Sequence, residues 1–218
     1  MLGKLKIYLI FFLSFLAISY AASAEEWKSR TIYQVLTDRF ARNDAAHSKC
    51  DNLGKYCGGG FIGLKNNLDY IKGMGFDAIW ISPIVDNYDG GYHGYWARNL
   101  YKINQNFGSE EDFLSLVHAC HEKNIWVMVD VVANHMGNTN QNYSQNVPFN
   151  SSEYYHDYCI ISDQDFATKN QERIEKCRLA GLADLKHEND YVRRTLLSWI
   201  KDLIEKYHID GIRIDTVP

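Results

Sequence analysis

The strongest chemical signal in the chain is the pentapeptide Gly211-Ile212-Arg213-Ile214-Asp215. Side chains alternate along a strand, so Arg213 and Asp215 share one face. Ile212 and Ile214 share the other, toward covering helices. Two charges on a face that would otherwise be core need a reason. An arginine beside an aspartate favours the ionised carboxylate. At the carboxyl end of a barrel strand such a group is a candidate nucleophile. A structural Arg–Asp ion pair would give the same five residues, and the pentapeptide alone does not separate the two readings.

A second polar stretch is Asp130-Val131-Val132-Ala133-Asn134-His135. Asp130 and Asn134 have the same parity and so the same face. Asn134 offers a carbonyl oxygen, and the distant Asp184 offers a carboxylate. Hard oxygen ligands suit Ca²⁺ and would not select zinc. A third stretch is Gly90-Gly91-Tyr92-His93-Gly94-Tyr95-Trp96. Glycines beside aromatics give a loop whose rings face a cleft, with Tyr95 and Trp96 as platforms for sugar rings. A turn packed by its own aromatics is the plainer alternative.

These groups need elements to hold them. Ile32 to Phe40 reads as a strand. Leu64, Leu68 and Ile71 recur at helical spacing, and Gly73-Met74-Gly75 closes that helix. Ala78 to Ile84 reads as a buried strand, and Asp112 to Lys123 as a helix. Ile125 to Val132 is a continuous apolar run, as in a strand buried on both faces. Val192, Leu196, Trp199, Ile200, Leu203 and Ile204 mark an amphipathic helix. Ile209 to Val217 is a fourth strand. Strand and helix thus alternate, which argues a parallel sheet covered by helices. The exception is the polar segment from about Met136 to Asp184, a functional loop or a small inserted unit.

The composition is that of a globular chain: 46% hydrophobic and 23% charged, with a formal net charge of -4. That balance gives no pull toward nucleic acid or an anionic membrane. Lys4, Lys6, the apolar run Ile7 to Tyr20 and Ala22-Ser23-Ala24 read as a signal peptide over residues 1–24, cut after Ala24. No other apolar run is long enough to span a membrane. In a secreted chain Cys50 with Cys57, and Cys159 with Cys177, fit local disulfides. Cys120 sits at helical spacing with Phe113, Leu116 and Val117 and reads as a buried free thiol. Asn142 and Asn150 begin glycosylation sequons.

Taken together, these segments resemble the α-amylase family of retaining glycoside hydrolases, most closely the secreted fungal members. The pieces stand in family order: Ile32-Tyr33 through Phe40, Gly73 to Phe76 with Ala78-Ile79-Trp80, Tyr92 to Trp96, Asp130 to His135, Leu182 to Leu185, and Gly211 to Val217. The resemblance implies the amino-terminal half of a (β/α)₈ barrel, about four strands and three helices, with an inserted domain after the third strand. Residues 25–135 and 185–218 would be barrel and residues 136–184 the insert. It implies that Asp215 is the nucleophile and that Arg213 orients it. His93, Tyr95, Trp96, Asp130 and His135, with Arg213, would line or support the sugar subsite. Asn134, Asp184 and the backbone carbonyl of Glu175 would hold a structural Ca²⁺. The implied substrates are starch, glycogen and malto-oligosaccharides, and the implied state is a monomer. The family continues past Val217 with Lys and His, whereas this chain has Pro218. Its general acid Glu and a further essential Asp belong to later strands, so this chain alone is expected to be inactive. The stretch from Cys177 to Asp184 is also shorter than in the best-known fungal members. A non-catalytic glucan-binding fragment, and an α-glucosidase or glucan transferase of the same family, are the alternatives.

Overall fold

Residues 22–45 and 49–217 are described by the computed structural model. The charged and apolar parts of the expected signal peptide lie outside the described residues. Ser23 lies inside them and caps the one-turn helix α1 (Ala24–Trp27), its hydroxyl accepting from the Glu26 amide while the Glu26 carboxylate accepts from the Ser23 amide. There follow β1 (Ile32–Val35), α2 (Thr37–Phe40), α3 (Phe61–Asn66), α4 (Leu68–Gly73), β2 (Ala78–Ile81), the hairpin strands β3 (Val85–Asn87) and β4 (Ala97–Ile103), α5 (Glu110–Glu122) and β5 (Trp126–Val132). The chain continues through β6 (His135–Met136), α6 (Asp163–Ala167), α7 (Gln171–Lys176), β7 (Ala183–Asp184), α8 (Asp190–Tyr207) and β8 (Gly211–Asp215).

Strands β1, β2, β5 and β8 form one parallel sheet in that order. This is an α/β fold, a partial barrel in which each strand lies beside the next one in sequence. Val127, Val129 and Val131 of β5 are buried with Ile79 and Ile81 of β2. They share one core with Leu64 and Leu68 of α3 and α4, Phe113 and Leu116 of α5, and Leu196 and Leu203 of α8. Each such side chain, fully buried, contributes about 1.5–3 kcal/mol. The apolar residues of α8 that are buried are Val192, Leu196, Trp199, Leu203 and Tyr207, one stripe at helical spacing. Cys120 is buried and unpaired, and burial pushes its thiol up to about 12, so it packs as an inert small apolar group. Among the described residues no helix is long and apolar enough to cross a membrane.

Three expected elements need correction. The first strand stops at Val35, because residues 37–40 turn into a helix. The cause is Asp38, whose buried carboxylate accepts from the Cys57 and Gly58 amides and from Arg39. Those bonds pull the chain out of the sheet. The helix expected from Leu64 onward is split at Asn67, whose side-chain amide donates to the Gly63 carbonyl. Ile214 is left uncovered among the described residues; it is 47% exposed and lines a cleft with Glu175 and Lys176 of α7. The hairpin β3–β4 has no counterpart in the sequence reading, since its register shifts at Asp86 break the alternation that marks a strand.

At the amino ends of the strands, Asp210 ties the sheet to its helices. Its carboxylate accepts from the Val127 amide at 2.7 Å and contacts His121 Nε2 at 2.9 Å. Its carbonyl accepts from the Ala22 amide and the Trp27 indole. The bond to Asp210 raises the His121 value above its ordinary one, about 6.5. The folded state therefore binds the proton more tightly than the unfolded one. Its contribution is complete below the unfolded value and is lost as pH rises through the folded value. Urea unfolding of wild type and His121→Ala should differ most at pH 5.5 and least at pH 8.5; a gap independent of pH would remove this account.

Candidate active site

The register of β5 against β8 sets Asp130 opposite Arg213, and Val132 opposite Asp215. Arg213 Nη1 lies 3.1 Å from both Asp130 oxygens and also donates to Asp215 Oδ1. One guanidinium nitrogen thus bridges two carboxylates on the inner side of the sheet. Asp130 is 2% exposed. It accepts further from the Tyr95 hydroxyl at 2.9 Å and from Trp80 Nε1 at 3.1 Å. Burial pushes the Asp130 carboxyl above its ordinary range, and its donors pull it back. The Tyr95 phenol is pushed up by burial and by donating to Asp130, which fixes it as a donor. Asp215 keeps its other oxygen for the Thr216 hydroxyl at 2.7 Å. A carboxylate oriented through both oxygens and partly open to solvent keeps lone pairs with which to attack an electrophilic carbon.

The aromatic loop closes over this cluster. Tyr95 Oη reaches Asp130, while the Tyr95 carbonyl contacts His135 Nε2 at 3.2 Å. Since a carbonyl only accepts, Nε2 carries the proton of the neutral ring. Burial lowers the His135 value, which keeps the ring neutral. His93 accepts through Nδ1 from the Tyr95 amide, stacks at 5.7 Å on the Tyr95 ring and meets Trp96 edge-on at 4.8 Å. Burial lowers the His93 value too. The loop therefore packs on itself and also points groups at Asp130, so both readings of its aromatics describe part of it. Gly94 turns with φ +89°, and a side chain there would meet the Pro83 carbonyl at 2.6 Å. A Cβ on Gly137 would lie 2.2 Å from the Trp96 backbone, so the start of the polar segment presses directly against the loop.

The sequence reading missed Trp80, Asn87 and Thr216. Trp80 both donates to Asp130 and lies under the Arg213 guanidinium, 5.1 Å from ring centroid to Cζ. Its signal was parity: Ile79 and Ile81 are buried on the outer face, which leaves Trp80 inward. Asn87, buried in β3, accepts from the Trp96 amide at 2.7 Å and sets the height of the aromatic loop.

Of the three oxygen donors expected to hold a cation, Asn134 and Asp184 are in contact, and residue Glu175 lines the same cleft as Asn134. Asn134 and Glu175 line a cleft of roughly 410 Å³ together with His156, Glu188, Asp215 and Thr216. Asp184, brought in by pairing of β6 with β7, contacts the Asn134 amide at 3.3 Å. Asp184 also contacts His156 Nδ1 at 2.7 Å, and His156 Nε2 meets Glu188 at 2.9 Å. The bond to Asp184 raises the His156 value, and burial raises that of Asp184. Glu175 sits in the last turn of α7, where main-chain carbonyls lack helical donors. Among the described residues no group of three or more His, Cys, Asp or Glu is arranged to hold a metal ion. The donor set is an amide, one carboxylate and a main-chain carbonyl, which fits a hard cation such as Ca²⁺ and no softer one. The disulfides Cys50–Cys57 and Cys159–Cys177 are both formed. Asn142 and Asn150 are exposed.

A family profile for the alpha amylase catalytic domain matches residues 34–218. The alpha-amylase of Saccharomycopsis fibuligera is 45% identical over 206 residues, 89% of this chain and 42% of that protein. An alpha-amylase structure from Malbranchea cinnamomea superposes with a TM-score of 0.82 at 46% identity, over 89% of this chain and 44% of that one. A cyclomaltodextrin glucanotransferase with a three-domain ABC distribution superposes with a TM-score of 0.73 at 34% identity, over 86% of this chain and 44% of that one. The chain spans less than half the length of each of these proteins.

Proposed function

The chain belongs to the alpha-amylase family, and on that premise we propose that it forms the nucleophile-bearing part of a secreted enzyme that cleaves internal α-1,4-glucosidic bonds in starch and glycogen. The observation that carries this reading is the single Arg213 nitrogen shared by Asp130 and Asp215 at the strand ends. Asp215 attacks the anomeric carbon, the bond to the leaving oxygen breaks, and a glycosyl ester forms on the Asp215 carboxylate. Water then attacks the same carbon and releases Asp215, so two inversions retain the anomeric configuration. Arg213 holds Asp215 in place. Asp130, His93, His135, Tyr95 and Trp96 form the walls of the sugar subsite. The inserted unit over residues 136–184 closes one side of the cleft.

Such a reaction needs a second carboxyl about 5–5.5 Å from the first, to protonate the leaving oxygen. Among the described residues Asp130 is the other carboxylate on Arg213, and it is saturated by Tyr95, Trp80 and Arg213. It is not free to act as that acid. We therefore infer that residues 1–218 alone bind glucan without cleaving starch. A glycosyl fluoride separates the two functions, because fluoride leaves without a proton. The chain should release fluoride from α-maltosyl fluoride, slowly, and produce no reducing ends from soluble starch. Asp215→Asn should lose the release; release that survives, or none in wild type, would remove Asp215 from this role.

Asn134, Asp184 and the Glu175 carbonyl are the residues that would hold Ca²⁺. The ion would supply a structural tie between the polar segment and the sheet. Ca²⁺ at 100 times its Kd should stabilise the chain by about 2.7 kcal/mol. Asp184→Asn should remove most of that gain, and an unfolding midpoint blind to Ca²⁺ would exclude the site. Secretion would expose Asn142 and Asn150 to glycosylation, read as a mass decrease after enzymatic deglycosylation of the secreted protein.

A further inference from the structure

The turn after β8 is made by a residue ill suited to it. Thr216 has φ +49°, in the left-handed region. Glycine adopts that region freely and asparagine at little cost, but a β-branched side chain crowds the backbone there. Among the described residues Thr216 is the only β-branched one with a positive φ. A strained backbone persists only where its surroundings impose it, and such positions gather at reactive sites. What the turn changes is the direction of the hydroxyl. Had the strand run on, residue 216 would face the side opposite to Asp215, with Ile214. Instead Thr216 Oγ1 donates to Asp215 Oδ2 at 2.7 Å, and both residues line the same cleft. Threonine hydroxyls in turns usually bond main-chain groups. This one bonds the side chain that the reaction needs.

Without that hydroxyl the Asp215 carboxylate would be tied on Oδ1 alone, by Arg213 Nη1. The torsion that turns a carboxylate about its Cβ–Cγ bond is broad, so one donor leaves the plane loosely set. Donors on both oxygens set it. Each carboxylate oxygen carries a further lone pair, so two donors leave the group able to attack. We propose that Thr216 is a positioning residue for the nucleophile: its hydroxyl, turned inward by the left-handed backbone, fixes the plane of the Asp215 carboxylate toward the anomeric carbon. The inference rests on the function given above, which supplies the nucleophilic role of Asp215. It adds a reason for the strain: a threonine is kept where glycine would fit better, because glycine has no donor.

The test reads the first turnover of α-maltosyl fluoride by residues 1–218, in which fluoride leaves with its bonding pair as the ester to Asp215 forms. Thr216→Val keeps the branch and the shape and removes the donor. It should slow the first turnover about tenfold, the scale of one hydrogen bond to a charged group. The half-saturating concentration should stay within about twofold, because the lost interaction orients the attack and does not bind the sugar. Thr216→Ser keeps the donor and should bring the rate back to within about threefold of wild type. Thr216→Gly relieves the backbone, so it should unfold at no lower urea concentration than wild type and still lose the rate. That opposition of stability and rate is what a threonine that merely ends the strand would not show, and Thr216→Gly carries the test if Thr216→Val loses stability. Thr216→Gly at the wild-type rate, Thr216→Ser as slow as Thr216→Val, or a loss confined to the half-saturating concentration overturns the positioning role and leaves the proposed function standing. No release from wild type overturns both.

Discussion

Replacing Arg213 with alanine should destabilise the chain by about 3–5 kcal/mol, the cost of stranding a buried charge by removing its partner. The lower end applies, because the Arg213 side chain is itself 34% exposed. Two carboxylates would then stand close together with no cation between them. Asp130 would keep the Tyr95 and Trp80 donors, which do not neutralise it. The deficit should shrink as pH falls, because a protonated Asp130 no longer needs a cation. Urea unfolding at pH 7 and pH 5 measures both statements; a loss under about 1 kcal/mol, the worth of a surface pair, that is equal at both pH values would show that Arg213 is an ordinary surface charge. Arg213→Lys should recover part of the stability and little of the fluoride release. An ammonium is a strongly hydrated point charge on a flexible stem, and it would hold the two carboxylates less rigidly than the preorganised guanidinium.

The second large effect belongs to Arg178. This side chain is 1% exposed, and among the described residues no carboxylate pairs with it in a salt bridge. Its Nη1 donates to the carbonyls of Thr139, Asn140 and Gly181, and its Nη2 donates to the Tyr143 hydroxyl at 2.9 Å. The guanidinium also lies 4.7 Å from the Tyr158 ring centroid. A cation solvated by main-chain carbonyls replaces an apolar core in a segment that has little of one. Arg178→Met keeps much of the volume and takes this donor from the Thr139 and Gly181 carbonyls and the Tyr143 hydroxyl, while the Asn140 carbonyl keeps the Asn138 side-chain amide. Thr139 and Asn140 are themselves exposed, so water replaces part of what is lost, and the cost is on the order of 1–3 kcal/mol, that of one unsatisfied buried group. The loss should be local. Proteolysis should speed up within residues 137–182, while amides of β2 and β5 keep their exchange protection. Cleavage at the wild-type rate would show that the disulfide Cys159–Cys177 and the other bonds hold the segment without this arginine.

The contrast between the sheet and this segment explains what the sequence could reveal. Strand β5 was legible because a run of β-branched residues buried on both faces has no other common meaning. The shared face of Arg213 and Asp215 followed from strand parity alone. Helix α8 followed from one apolar stripe. Residues 136–184 order themselves differently, through buried polar pairs between points distant in sequence. Asn146, for example, donates to Asn138 and to the Tyr155 hydroxyl. Such pairs have no period, so no spacing announces them. Asp38 was misread for the same reason, since its partners Cys57 and Gly58 lie about twenty residues away. Trp80 and Asn87 touch the site only through the register of neighbouring strands, which a linear reading does not contain.

Among the described residues, the side chains hydrogen-bonded to Asp130, Arg213 or Asp215 come from Trp80, Tyr95 or Thr216, or from the three themselves. Assembly from the amino terminus therefore has a natural order. Once the ribosome has released the stretch through Thr216, these six side chains can pair with one another. The shape of the cluster would be settled during synthesis, as soon as β8 pairs with β5.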